Sequence, residues 1–410
     1  MATNESFLPF DSESFKLLEA KHPPRHPNSV TPNSPDAETT SDALQLTEQQ
    51  VFKAIMSFPG GSAGGFDLMQ PQHLKDLVSK SCGESGAHLL TSITRMCNKM
   101  FRGDLPKDIL PTIYGASLIA FSKPNGGIRP IAIGSVWRRL TAKAAAFCVK
   151  GILKEKLFPL QLGVSVPGGA EAIVHSARSF CNSKMKSSEP TAFLKIDFEN
   201  AFNTLRRDTF LNTIRCELPC IYPFLFQCYS DFSFLFYKDL TLPSAEGIQQ
   251  RDPLGPLCFS LCIQNLVSRL SSEFNVWYLD DGTLAGHPDA VRRDFNFILS
   301  EQDSLGLRVN MRKCDLSILG TDASHNDVVS SSFADQFLDL NLVNPQSLNL
   351  LGAPLFEEGI DNELNARLLA LKLTCSRLEQ LDHHDVLFLL KNVSFPWKPL
   401  SYKYLGKISF

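Results

Sequence analysis

The chain is 410 residues long, 43% hydrophobic and 20% charged, with a formal net charge of −3. These are globular proportions; they exclude a disordered or fibrous chain and leave room for two or three ordinary domains or one multi-lobed enzyme. The net charge does not mark a polynucleotide binder, but it is unevenly spread: residues 121–160 carry eight Lys and Arg side chains against one acid, Glu155, the concentration that a phosphate-tracking surface requires. Eleven cysteines lack metal-ligand spacing: Cys216/Cys220 and Cys258/Cys262 have no second pair and no His ladder, so reduced thiols are expected rather than zinc. No signal sequence and no apolar run long enough to span a bilayer is present. The expectation is a soluble intracellular protein, nuclear or cytoplasmic.

Residues 1–45 are rich in Pro, Ser, Asn and Thr and read as a disordered arm. Order is expected to start at Thr47, which forms a capping box with Gln50 ahead of Val51 and Ile55. The run Gly60-Gly61-Ser62-Ala63-Gly64-Gly65 lacks the strand and Lys-Ser/Thr context of a phosphate cradle, so it reads as a turn. Helical period returns at Leu89, Ile93, Met96, Cys97 and Met100. Residues 114–121 and 128–133 read as a hairpin turning at Pro124-Asn125-Gly126-Gly127, with Lys123 and Arg129 on its two arms. Two such cations can close over a triphosphate, or simply be solvated. In the next helix Val136, Leu140, Ala144 and Phe147 mark the buried stripe. Arg139, Lys143 and Lys150 share another face, suited to a polynucleotide backbone or merely to water.

A loop, residues 163–170, leads into a helix through Ile173 and Ala177. Residues 192–196 then form an apolar strand ending in Asp197, followed by a turn and a helix near Asp208. Phe202, five residues past Asp197, can pack as core or lie under an incoming sugar. The Pro- and Gly-punctuated loop 247–256 starts a helix through Leu257, Leu261, Leu266 and Leu270. Val276-Trp277-Tyr278-Leu279-Asp280-Asp281-Gly282-Thr283-Leu284-Ala285 reads as a tight hairpin with Asp-Gly at its turn and two acids at its tip. Taken alone, that is an ordinary solvated corner. If its strands neighbour the strand that ends at Asp197, three carboxylates meet at one sheet edge, and they repel unless divalent cations lie between them. The chemistry expected is two-metal phosphoryl or nucleotidyl transfer. A helix over 289–303, a short strand over 316–319, a turn-and-strand pair at 348–355 and a helix with Leu364, Leu368, Leu371 and Leu378 follow.

In this order the segments resemble the reverse transcriptase domain of LINE-type (non-LTR) retrotransposons, over about residues 47–390. Lys123-Pro124-Asn125-Gly126-Gly127-Ile128-Arg129-Pro130 is similar to the family's fingers hairpin. Asp197-Phe198-Glu199-Asn200-Ala201-Phe202 looks like its first catalytic motif, and Gln249-Gln250 with Asp252-Pro253-Leu254-Gly255-Pro256 like its second. Tyr278-Leu279-Asp280-Asp281 is the third and most diagnostic. Gly306-Leu307-Arg308-Val309-Asn310 with Lys313, and Leu351-Gly352-Ala353-Pro354, resemble the two that follow.

The resemblance implies an α+β right-hand polymerase fold. Residues 46–190 would be N-terminal helices and fingers, 191–358 a palm with an antiparallel sheet backed by helices, and 359–393 a partial helical thumb; 394–410 is an unplaced tail. It further implies that Asp197, Asp280 and Asp281 hold two Mg²⁺ ions, with Mn²⁺ possible. Lys123 and Arg129 would clamp phosphates, Phe202 would gate the sugar, Gln250 would contact the nucleotide, and Lys313 would donate a proton to pyrophosphate. The partners implied are an RNA template, a DNA primer and dNTPs, with no membrane; no endonuclease or zinc knuckle is visible in this chain. Two departures stand out. Arg251 occupies the family's glycine after Gln250, and Gly65-Phe66-Asp67-Leu68 replaces a Gly-Pro-Asp-Gly turn. The leading expectation is an RNA-directed DNA polymerase that adds dNTPs to a primer 3′-hydroxyl; the two departures raise the alternative of a catalytically impaired remnant that binds nucleic acid without efficient turnover. An intron-maturase-like or telomerase-like polymerase is disfavoured, because no RNA-binding accessory domain is evident.

Overall fold

Residues 191–196 alternate between two cores. Ala192, Leu194 and Ile196 face one, with Val291, Phe295 and Ile298 of the helix Pro288–Leu305. Phe193 faces the other, with Ile173, Val174 and Ala177 of the helix Gly169–Lys184. A strand buried on both faces belongs at the centre of its sheet, and the computed structural model puts it there. The structure describes residues 7–30, 32–36, 45–122 and 127–392.

In chain order the strands are β1 Ala116–Ser122, β2 Ile128–Gly134, β3 Thr191–Ile196, β4 Ser233–Tyr237, β5 Leu240–Ser244, β6 Phe274–Tyr278, β7 Asp281–Gly286, β8 Asp315–Leu319 and β9 Asn341–Leu342. Among the described residues one sheet has the order β2-β1-β4-β5 and a second β6-β7-β3-β8-β9; β10 Asn349–Leu350 and β11 Ala353–Pro354 pair as a third, two-stranded one, where a turn-and-strand pair is expected. Strand β3 is antiparallel to β7 and β8, with Ile196 opposite Gly282 and Lys195 opposite both Thr283 and Asp315. This is the expected α+β architecture, helices backing a sheet that is antiparallel from β6 through β8, with β9 added in parallel to β8. Strands β4 and β5 have no counterpart in the sequence reading. Their run is short and aromatic, and β4 joins β1 through only two parallel pairs, Ala116–Leu235 and Ser117–Phe236.

The helix Glu48–Met56 begins as expected: the Gln50 N–H donates to the Thr47 hydroxyl, and the Thr47 N–H to the Gln50 side-chain oxygen at 2.9 Å. The expected disordered arm over residues 1–45 does not describe residues 7–30 and 32–36. These carry a helix, Ser12–Glu19, capped by Asp11, and Leu18 is fully buried against the four-stranded sheet. Composition alone cannot register a segment whose few apolar side chains (Phe7, Leu8, Phe10, Phe15, Leu18) all find a preformed surface. The remaining positions of that stretch lie outside the described residues. The helix Glu357–Leu378 forms where expected, yet none of its residues is buried, and Leu364, Leu368, Leu369 and Leu373 are exposed.

Candidate active site

The candidate site forms where β3, β6 and β7 end. Strands β6 and β7 pair up to Tyr278 opposite Asp281, so the connecting turn is Leu279-Asp280. The expected Asp281-Gly282 turn is therefore displaced by two residues, and Asp281 opens β7. Two features account for the shift. Trp277, fully buried, lies against Gly282, where a Cβ would stand 2.6 Å from its ring; Gly282 is thus needed inside the strand. Leu279 takes the left-handed conformation instead, at φ +59°. The buried Gln161 side chain holds both of its peptide groups, accepting from the Leu279 N–H at 2.8 Å and donating to its carbonyl at 3.1 Å.

Side chains two apart on a strand share a face. Lys195 and Asp197 therefore project on one face of β3, and Asp281 continues the register one step beyond the Ile196–Gly282 pair, on the same face. Adjacent strands lie about 4.8 Å apart, so the three acids are neighbours. The electrostatics agree. Burial, the Asp280 charge and the Asp197 charge push the Asp281 carboxyl well above the ordinary carboxylate range, against the opposing pull of Lys195 and Lys313. Burial, with the Asp197 charge, raises Asp280 likewise. The pair thus retains a proton near neutrality unless a cation replaces it.

Asp197 is framed by the segment after the helix Pro288–Leu305. Its carbonyl accepts from the Asn310 N–H at 2.8 Å, Glu199 N–H donates to the Arg308 carbonyl, and Phe198 bridges Val309. Gly306, at φ +73°, lets this segment approach closely: a Cβ there would lie 2.5 Å from the Thr204 carbonyl oxygen. The same segment brings the Lys313 ammonium to 3.7 Å from Asp197 Oδ2. Lys195 forms an ion pair with Asp315 at 2.6 Å. The sequence reading missed Lys195, although its position two residues before Asp197 on a strand was the available signal.

Phe202 is half-buried and stacks on Phe259 at 4.8 Å between ring centroids. Its carbonyl accepts from the Ile248 N–H at 2.6 Å, which ties the Asp197–Phe202 turn to the loop carrying Gln250. Gln250 is half-exposed there. Arg251 follows at φ +63°, a conformation that costs a non-glycine residue about 1 kcal/mol. Its pKa is held down by desolvation of the guanidinium and by repulsion from Arg129, an exposed residue of β2. Lys123 lies outside the described residues.

The loop is anchored from below by two buried arginines, both missed in the sequence. The Arg138 guanidinium contacts Asp252 Oδ2 at 3.0 Å, with the pair almost wholly buried. It also donates to the Tyr114 carbonyl. Tyr229 donates to the same Asp252 oxygen at 2.9 Å, and the Leu254 N–H donates to Oδ1. Arg207, 2% exposed, donates to the carbonyls of Gly247, Asp231 and Ser244. The Tyr229 ring carries a guanidinium at 4.9 Å from Arg138 and another at 5.1 Å from Arg207.

The basic helix face needs correction. In Val136–Leu157 the Lys143 side chain is buried, 5.0 Å over the Phe58 ring, and burial with Lys75 nearby lowers its pKa. Arg139 is half-buried against the same ring and donates to the Ala63 carbonyl at 2.7 Å. Lys150 is half-buried. Small residues around this helix (Ala142, Ala144, Ala145, Ala146) let neighbours pack on most of its circumference, so the face is no open track for a nucleic-acid backbone.

The three acids form a hard oxygen donor set, suited to Mg²⁺ or Mn²⁺. Among the described residues no three His, Cys, Asp or Glu side chains are already gathered round one ion position. What fits a divalent cation here is the pair Asp280 and Asp281, both raised by burial and by neighbouring carboxylates, beside Asp197 at one strand end.

Residues 121–406 match the family described as reverse transcriptase (RNA-dependent DNA polymerase). A curated relative, the retrotransposable element SLACS 132 kDa protein of Trypanosoma brucei gambiense, is 26% identical over 272 residues, which is 63% of this chain and 22% of the relative. The chain therefore spans about a fifth of that relative's length. Among solved structures, apo telomerase from Candida tropicalis, truncated from its C-terminal domain, aligns over 52% of each chain at 13% identity and a TM-score of 0.39. Telomerase from Candida albicans, with a fragment of telomeric RNA, aligns over 54% of this chain and 45% of its own at 10% identity and a TM-score of 0.40.

Proposed function

Because the chain belongs to the reverse transcriptase (RNA-dependent DNA polymerase) family, we propose that it extends a DNA primer on an RNA template with dNTPs, by nucleotidyl transfer at Asp197, Asp280 and Asp281. The observation that carries this reading is the register that sets Asp197 beside Asp281 at the ends of paired strands, with Asp280 in the adjoining turn. Divalent cations bound to these acids, Mg²⁺ first and Mn²⁺ as a substitute, would lower the pKa of the primer 3′-hydroxyl and neutralise the triphosphate and the departing pyrophosphate. The protein's own groups do the rest. Arg129, with Lys123, clamps phosphates; Gln250 faces the incoming nucleotide; Lys313 offers a proton to pyrophosphate. In this reading residues 46–190 serve as N-terminal helices and fingers, 191–358 as palm and 359–393 as partial thumb. Among the described residues no helix is long and apolar enough to cross a membrane. Primer extension by the purified chain with Mg²⁺ tests the proposal; a chain that binds template–primer but adds no nucleotide overturns it.

Phe202 stacks on Phe259 and is only half-buried; in this reading its exposed part presses on the sugar and excludes a 2′-hydroxyl. Phe202→Ala should raise ribonucleotide incorporation, relative to dNTP, by roughly tenfold or more, the worth of about 1.4 kcal/mol of discrimination. Continued rejection of ribonucleotides in single-nucleotide kinetics removes the gate role.

A second reading, an impaired remnant, is favoured by Arg251 itself. A side chain in left-handed backbone stands where the family has glycine, beside Arg129. If it obstructs the nucleotide, Arg251→Gly relieves about 1 kcal/mol of strain and raises the extension rate several-fold. An unchanged or lower rate eliminates obstruction as the lesion.

A further inference from the structure

The stretch from Phe7 to Val30 connects the four-stranded sheet to the turn that carries Asp197 and Phe202. At its start, Phe7 bridges Phe121 and the Leu8 N–H donates to the Ala120 carbonyl at 3.0 Å. These residues occupy the part of β1 that β4 leaves unpaired. Tyr237 of β4 donates to the Pro9 carbonyl at 2.9 Å, Phe10 packs on the Tyr237 ring, and Leu18 is fully buried beneath β1 and β2. The chain then crosses to the other side of the site. Asn200 Nδ2 donates to the Lys21 carbonyl at 2.7 Å. Beyond it, the His26 N–H donates to Glu246, whose other oxygen accepts from Arg207 N–H. Arg206 donates to the Asn28 carbonyl, and the Val30 N–H to Asp208 at 2.9 Å.

Asn200 lies midway between the first acid and Phe202, at φ +52°. Its side chain is used twice: Nδ2 reaches the crossing segment, and Oδ1 accepts from Asn203 Nδ2 at 2.9 Å. On the opposite side the turn is closed by Gly247, whose N–H donates to the Leu205 carbonyl and whose missing Cβ leaves room for Asn203. The Phe202 turn is thus gripped between the loop at Gly247 and the segment at Lys21. A left-handed residue held by side-chain hydrogen bonds reverts toward commoner backbone when they are lost, and Phe202 moves with it.

We propose that residues 7–30 act as a strap and that Asn200, fastened to the Lys21 carbonyl, is a positioning residue that sets Phe202 against the nucleotide sugar. The sugar readout rests on the polymerase reading above; the strap itself does not. Two full-length variants test it. Leu18→Asp loosens the strap at its remote anchor on the sheet, and Asn200→Ala removes the fastening and disfavours the left-handed backbone that it holds. Each should lower the ratio of kcat/KM for a dNTP to that for the matching ribonucleotide by about fivefold, the effect of one net hydrogen bond. A merely structural role would slow both nucleotides equally, and an unchanged ratio in both variants overturns the proposal. If the parent chain extends no primer, the polymerase reading fails on its own. Amide hydrogen exchange then decides the strap: faster exchange over residues 201–205 in Leu18→Asp supports it, and exchange equal to the parent's overturns it.

Discussion

Asp280→Asn lowers primer extension at least about a thousandfold, roughly 4 kcal/mol of lost transition-state stabilisation, while template–primer affinity stays within about twofold. The change keeps shape and hydrogen-bonding capacity but removes one of the three acids that the proposal assigns to the divalent cations. Binding of nucleic acid draws on other groups, so anisotropy with a labelled duplex should barely move. Equal losses of binding and extension would mean that Asp280 acts by holding the fold rather than by its charge.

The same substitution has a thermodynamic signature that needs no turnover. Burial and neighbouring carboxylates raise both acids of the turn, so the folded chain holds a proton there that the unfolded chain releases near pH 4. A raised carboxyl therefore contributes least unfavourably below that pH, and stability falls as pH climbs from there toward the folded value. Without divalent cations, Asp280→Asn should accordingly raise the melting temperature at pH 8 by at least about 2 °C, and by less at pH 5. Mg²⁺ should stabilise the parent more than the variant. A melting temperature that drops at pH 8 contradicts the crowding of charge on which the site rests.

Asp252→Ala destabilises the fold by about 3–5 kcal/mol, the usual consequence of stranding one member of a buried ion pair. Its partner Arg138 is 1% exposed, and Tyr229, which donates to the same carboxylate, is also 1% exposed. Removing the acid leaves a guanidinium with no charge partner and frees the Leu254 N–H that Oδ1 receives. The Gln249 N–H donates to the Tyr229 hydroxyl, so the loss should reach the loop carrying Gln250 and Arg251. Urea denaturation reads the effect directly. A midpoint equal to the parent's would show that hydrophobic packing alone supports the loop.

Local chemistry made much of this protein legible. Apolar strands that stop at an acid predicted where Asp197, Asp280 and Asp281 sit, because period-two burial and a rigid strand end are written into consecutive residues. Thr47 and Gln50 announced their helix for the same reason. Other features needed the third dimension. Nothing near Asp281-Gly282 says that Trp277 will lie on that glycine and move the turn to Leu279-Asp280. Arg139 and Lys143 share a helix face, but only the packing of Phe58 shows that the face is covered. Arg138 and Asp252 are 114 residues apart, so neither predicts that the other will neutralise it. The arm is the sharpest case, since Phe7, Phe15 and Leu18 are too few to form a core and become ordered only on a sheet built by later strands. Sequence specifies the period and chemistry of each segment. Which surface meets which, and hence the partner of every buried charge, is decided when distant segments close on one another and water leaves.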